Sequence, residues 1–133
     1  MTDRPTASIV IPTHGRPQYL DVTLASIVPQ AERFGAEVIV VSDGRDPASA
    51  TVAERHGARL ITLPQPAGAN AARNAAVRQA RGDPIVFIDD DIEAPPGWLD
   101  ALLTGVAGAP DRDVFGGPIR ARLEGGGPRA CGR

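Results

Sequence analysis

Lysine is missing from this chain: all 14 basic residues are arginine. That excludes an intact P-loop, whose grip on phosphate needs a lysine, and any Schiff base formed by the chain itself. Cysteine is almost missing too. Cys131 stands alone, so an intrachain disulfide is excluded and a cysteine-built metal centre has no second ligand. No apolar run approaches the roughly 18 residues of a membrane span, and Met1-Thr2-Asp3-Arg4 does not open a signal peptide. A cytoplasmic location without a membrane segment is the expectation. A net charge of −2 without a basic patch argues against a nucleic-acid partner. Neither histidine, His14 or His56, has a companion at metal-ligand spacing.

What the chain does have is ordinary bulk and one unusual stretch. Its 133 residues, 42% hydrophobic and 23% charged, suffice for one domain with one core. Pro84-Ile85-Val86-Phe87-Ile88 reads as a strand buried on both faces, running straight into Asp89-Asp90-Asp91. Alternation along an extended backbone puts Asp89 and Asp91 on one side and Asp90 on the other. Two carboxylates about 6–7 Å apart repel by about 2–3 kcal/mol at an effective dielectric of about 20. A positive partner is required between them, and a hard divalent cation held by oxygens suits. Capping of the helix near Pro95 or Pro96 is the plainer role for Asp90 or Asp91, but one acid suffices for that.

Elsewhere, strands and helices alternate. Ser8–Ile11 forms a first strand that Pro12 ends; Pro17 starts a helix carrying Leu20, Leu24, Ile27 and Val28, which Pro29 closes or kinks. Glu37–Val41 is a second strand, Pro47–Arg55 a helix and Arg59–Leu63 a third strand. An Ala-rich helix over 69–81 stops at Gly82, and another runs from Pro95 or Pro96 through Leu103. Val114–Gly117 and Ile119–Leu123 look like further strand, and residues 124–133 a flexible Gly-rich tail beyond a domain of residues 1–123. The fold class is α/β, a mainly parallel sheet with helices on its faces. Such sheets bind ligands at the carboxyl ends of their strands. Pro12-Thr13, Asp43-Gly44 and the three acids all fall on that rim.

Each rim group has a chemistry to offer. Gly15 lets a ligand approach the backbone, whose free N–H groups suit phosphate, with Arg16 beside it. Asp43 either accepts a hydrogen bond from a base or ribose, or stabilises an Asx turn before Gly44. Asn70, Arg73 and Asn74 share one helix face, and Gly68 precedes an N-terminus that favours anions, so Arg73 is placed to brace a diphosphate. Trp98 either packs its helix on the sheet or walls a pocket.

The run Ser-Ile-Val-Ile-Pro-Thr-His-Gly-Arg-Pro at 8–17 resembles the opening of the inverting family 2 glycosyltransferases. Val-Ile-Val-Val-Ser-Asp-Gly at 38–44 is similar to their second strand. Gly68-Ala-Asn-Ala-Ala-Arg73-Asn with Ile85-Val-Phe-Ile-Asp-Asp-Asp91 resembles their ARN helix and DXD strand. The resemblance runs from residue 8 to about 120 and implies a Rossmann-like GT-A domain, three-layered α/β/α and incomplete. It implies a nucleotide-diphospho-sugar donor, most simply a UDP-sugar, with Mn²⁺ or Mg²⁺. Pro12 and Thr13 then line the nucleoside pocket, Asp43 binds the base and Arg73 lies near the diphosphate. Asp89 or Asp90 takes the ribose; Asp91, with Asp89, takes the metal. Ser42 stands where the family usually has an acid. The family's acceptor-binding half, with its base, lies beyond the acid strand; Glu124 is the only acid after Asp113 here, so no residue is assigned as catalytic. The expectation is a donor-binding portion with its acceptor unidentified; the alternative is a non-catalytic module for nucleoside diphosphate or metal, or a truncated, inactive transferase. An exposed sheet edge favours a homo-oligomer.

Overall fold

The computed structural model describes residues 3–122. Four parallel strands, β1 (Ser8–Thr13), β2 (Glu37–Ser42), β3 (Arg59–Thr62) and β4 (Ile85–Phe87), form one sheet in the order β3-β2-β1-β4. Between and after them lie α1 (Pro17–Phe34), α2 (Pro47–Arg55), α3 (Ala69–Gln79) and α4 (Trp98–Gly108). The α/β expectation holds. Steps from β1 to β2 and from β2 to β3 run one way along the sheet, so right-handed crossovers put α1 and α2 on one face. The step from β3 back past β1 to β4 runs the other way and puts α3 on the opposite face.

Side-chain alternation matches this layering. Ile9, Ile11, Val38 and Val40 meet Leu20, Leu24 and Ile27 of α1, along with Ala53 of α2 and Leu99 of α4. Val10, Ile39 and Val41 turn the other way onto Ala72 and Ala76 of α3. The small alanines let α3 lie close on β1 and β2. Strand order reverses between β1 and β4, which makes the crevice above their carboxyl ends the place for a ligand.

Several boundaries differ from the sequence reading, each for a local reason. Pro12 does not end β1. Residues 8 and 10 bond toward β4 through the Ser8 N–H and the Val10 carbonyl, so residue 12 faces the same way. Pairing with β4 stops at Val10↔Phe87, so the N–H that proline lacks would have no ladder partner. Pro29 does not close α1, which continues to Phe34 because Leu24, Ile27, Val28 and Ala31 stay buried across it. The helix α3 stops at Gln79, short of Gly82. Helix α4 runs on to Gly108.

The acid-tipped strand is the largest departure. Only three residues pair, and Phe87 is 51% exposed. Lying at the sheet edge with β1 as its one strand neighbour among the described residues, β4 is not buried on both faces. No strand forms over 114–122; Val114 and Ile119 are exposed, with Gly116-Gly117-Pro118 between them. Leu123 and the Gly-rich tail lie outside the described residues.

Candidate functional site at the strand tips

The site begins where β1 leaves the sheet. Thr13 ends a fully buried strand; its carbonyl accepts the Asp43 N–H at 2.9 Å, and its hydroxyl donates to Asp90 Oδ2 at 2.8 Å. One residue thus joins the tips of β1, β2 and β4. The following loop turns at Gly15, whose φ of +63° is left-handed and suits glycine. Its N–H does not stay free for phosphate: it donates to Asp46 Oδ2 at 3.2 Å. Asp46 also caps α2 by accepting from the Ser49 N–H and hydroxyl. The Ser49 hydroxyl bond is the largest cause holding the Asp46 carboxyl below its ordinary range. Arg16 follows, reaching Asp90 Oδ1 at 2.5 Å and lying 3.6 Å from Asp91.

At the tip of β2, Asp43 accepts from the Ala67 and Gly68 N–H groups at 2.6 and 3.0 Å. The anion predicted at the N-terminus of α3 is therefore this side chain, and Asp43 is no Asx-turn residue. It holds the loop ahead of α3 against the crevice, keeping spare lone pairs on both oxygens. His14 Nδ1 lies 2.8 Å from the Asp43 carbonyl, so that nitrogen carries the proton. Across the crevice, Arg73 of α3 pairs with Asp89 at 3.1 Å and with Asn70.

The three acids beyond β4 meet different surroundings. Asp89 and Asp91 are open, with 62% and 44% of their side chains exposed, while Asp90 is buried at 1%. The positive partners their repulsion demands are, in this structure, arginines: Arg73 for Asp89 and Arg16 for Asp90 and Asp91. Three carboxylates against two guanidinium groups leave one negative charge over. Among the described residues no group of three or more His, Cys, Asp or Glu is placed to hold a metal. The donor set is instead one or two open carboxylates at a crevice. That suits a hard cation that takes its other oxygens from a phosphate ligand and water, as Mg²⁺ commonly does.

Sequence reasoning missed the residues that support this rim. Thr23, Ser26 and Gln30 form a polar stripe on α1. The Thr23 hydroxyl donates to the Asp90 carbonyl, Ser26 Oγ accepts the Ala94 N–H, and Gln30 Oε1 accepts the Leu99 N–H. Their spacing of i, i+3 and i+7 marks one helix face, beside the apolar stripe. Asp46 directly before Pro47 is an N-cap ahead of an N1 proline, a signal legible in the sequence. Trp98 resolves as a packing residue, half-buried against the core.

A family model described as glycosyl transferase family 2 matches residues 8–130. Polypeptide N-acetylgalactosaminyltransferase 15 of Homo sapiens is 35% identical over 118 residues, which cover 83% of this chain and 18% of that one. Among solved structures, a mannosyltransferase from Pyrobaculum calidifontis in complex with GDP-Man and Mn²⁺ superposes with a TM-score of 0.66 at 25% identity, covering 79% of this chain and 32% of that one. Glucosyl-3-phosphoglycerate synthase of Mycobacterium tuberculosis, with Mn²⁺ and UDP, gives 0.66 at 25% identity, covering 77% and 39%. The chain spans less than half the length of each. Among the described residues no helix is long and apolar enough to cross a membrane.

Proposed function

The chain belongs to glycosyl transferase family 2, and from that we propose that its strand-tip crevice binds a nucleoside-diphospho-sugar, as the donor side of an inverting, metal-assisted glycosyl transfer. The observation that carries the reading is the junction at Thr13, which brings Asp43, Asp90 and Arg16 to one crevice with Asp89 and Asp91 open beside them. Related structures holding GDP-Man or UDP with Mn²⁺ support the ligand class.

The residues take the following parts in this reading. Pro12 and Thr13 form the floor under the nucleoside. Asp43 keeps spare acceptor capacity for a base N–H; uracil N3–H meets that need, and a uridine nucleotide is the proposed donor. Asp89, once the donor's phosphates compete for Arg73, is free for the ribose hydroxyls. Arg73 then turns its charge to the diphosphate. Asp91, with Asp89 beside it, offers oxygens to Mn²⁺ or Mg²⁺. Bound there, such a cation supplies neutralisation of charge on the departing diphosphate. No described acid is assigned as the acceptor's base, so the proposal extends to the donor alone.

Calorimetry of UDP, GDP and pyrophosphate with the whole chain, with and without Mn²⁺, tests it. UDP binding that Mn²⁺ tightens is expected. Asp91→Asn should remove the metal-dependent gain, about tenfold or more, without lowering the melting temperature, since it relieves repulsion. Undiminished Mn²⁺–UDP affinity in that variant would sink the metal assignment. Asp43→Ala should weaken UDP more than pyrophosphate; equal losses would remove the base contact.

A further inference from the structure

We propose that Asp90 is a positioning residue: buried beneath the crevice, it anchors Arg16 and the acid turn so that Asp91 faces the donor with Arg16 as its standing counter-ion. What Asp91 then binds rests on the donor-binding reading. The anchoring itself rests on geometry alone.

Three consecutive aspartates invite one role, yet the middle one is committed elsewhere. Asp90 Oδ1 accepts from Arg16 at 2.5 Å, Oδ2 accepts from Thr13 at 2.8 Å, and its carbonyl accepts from Thr23 at 2.8 Å. Those tethers come from the loop after β1, from β1 itself and from α1. A carboxylate 1% exposed cannot meet a ligand in the crevice without leaving both side-chain partners, and a buried charge without partners is strongly disfavoured.

Arg16 gains its direction from that anchor. Its guanidinium is a planar fork with fixed angles. One terminal nitrogen is held on Asp90, which points the other at Asp91 from 3.6 Å, near enough to neutralise and too far for a hydrogen bond. Asp91 therefore keeps its oxygens open. A lysine, a single point of charge, cannot bond one acid and face a second in this fixed way. The stripe on α1 extends the same support along the turn: Ser26 holds Ala94, and Gln30 holds Pro95 and Leu99. Asp90 is the end of that support nearest the crevice.

The test compares Asp90→Asn, Arg16→Gln and the double variant in the whole chain. Asp90→Asn should cut the Mn²⁺-dependent part of UDP affinity by about 10-fold or more, the usual effect of losing a group that orients a metal ligand. Metal-free UDP affinity should stay within error. Arg16→Gln should act in the same sense, and the double variant should be no worse than Asp90→Asn, since both break one link. Additive losses, or equal loss of metal-free UDP in Asp90→Asn, overturn the proposal in favour of a direct donor contact. Amide hydrogen exchange without any ligand decides the anchoring separately. Both single variants should speed exchange at residues 89–93 and leave β2 and α3 unchanged; unaltered exchange at the turn overturns it. A wild-type chain that ignores UDP sinks the donor reading alone and leaves the exchange result to judge the anchor. Should Asp90→Asn fail to fold by circular dichroism, the half-exposed Arg16→Gln carries both measurements.

Discussion

Gly82 sits where only a glycine fits. A Cβ there would lie 2.4 Å from the carbonyl carbon and 2.6 Å from the carbonyl oxygen of Ala7, backbone atoms that have nowhere to move. Its N–H donates to Ser8 Oγ at 2.8 Å, and that hydroxyl donates onward to Glu37. Gly82→Ala should cost about 1–3 kcal/mol in urea unfolding, the range for forced overpacking. Sequence reading assigned this glycine to a helix stop. Its true demand comes from a residue 75 positions earlier in the chain, a proximity no local pattern encodes. Asp43 teaches the same: its place at a strand tip was legible, while its grip on the Ala67 and Gly68 N–H groups was not. Asp89, Asp90 and Asp91 were legible as a cluster, but their division into open and buried acids depends on Thr13, Arg16 and Thr23 arriving from other elements.

At the scale of elements, α1 is the piece that both layers and site depend on. One side carries Leu20, Leu24, Ile27 and Val28 into the core, and the adjoining polar stripe holds the turn after β4. Pro29 lies exposed in the middle of this helix. A proline there forgoes one backbone hydrogen bond and crowds the carbonyl four residues earlier, costing about 3 kcal/mol. Burial on both sides of it exceeds that cost, so a rule that predicts a helix end fails here. Pro29→Ala should therefore stabilise. Greater freedom of the unfolded chain takes back about 0.4–1 kcal/mol, leaving a gain of about 2 kcal/mol, read as a higher urea midpoint at unchanged slope. A fall in stability would mean that α1 is already bent to suit the proline. The edge strand β4 shows the opposite failure. Its apolar run promised full burial, but a strand's burial depends on its neighbours, and composition cannot report a place at the edge.

For the whole molecule, alternation of strands and helices was enough to predict a parallel sheet and a rim of polar tips, because handedness and short connections leave few other topologies. The far rim of the sheet could not be read that way. There Glu37, 9% exposed, collects Ser8, the Arg81 N–H and two guanidinium groups. Burial pushes its carboxyl up, but the bonds from Ser8 and Arg81 outweigh that and leave it below the ordinary 4.5. Asp21 is lowered chiefly by its hydrogen bond to His56 and Asp46 by that to Ser49, both from 3.8. Each carboxyl holds its proton more weakly folded than unfolded, so each contributes stability that is present above the unfolded value and lost as pH falls through the folded one. Urea midpoints should hold from neutral pH down to about 5 and decline below about 4.5, as the unfolded chain takes up protons first. Glu37→Gln isolates one part of this. At pH 7 the variant should be less stable than the parent, and the gap should narrow steadily below about 4.5, because the unfolded parent takes up its proton there while the folded carboxyl, held below 4.5, follows only at lower pH. A gap that stays constant with pH would mean that Glu37 supports the fold by packing and hydrogen bonding alone, with no contribution from its charge.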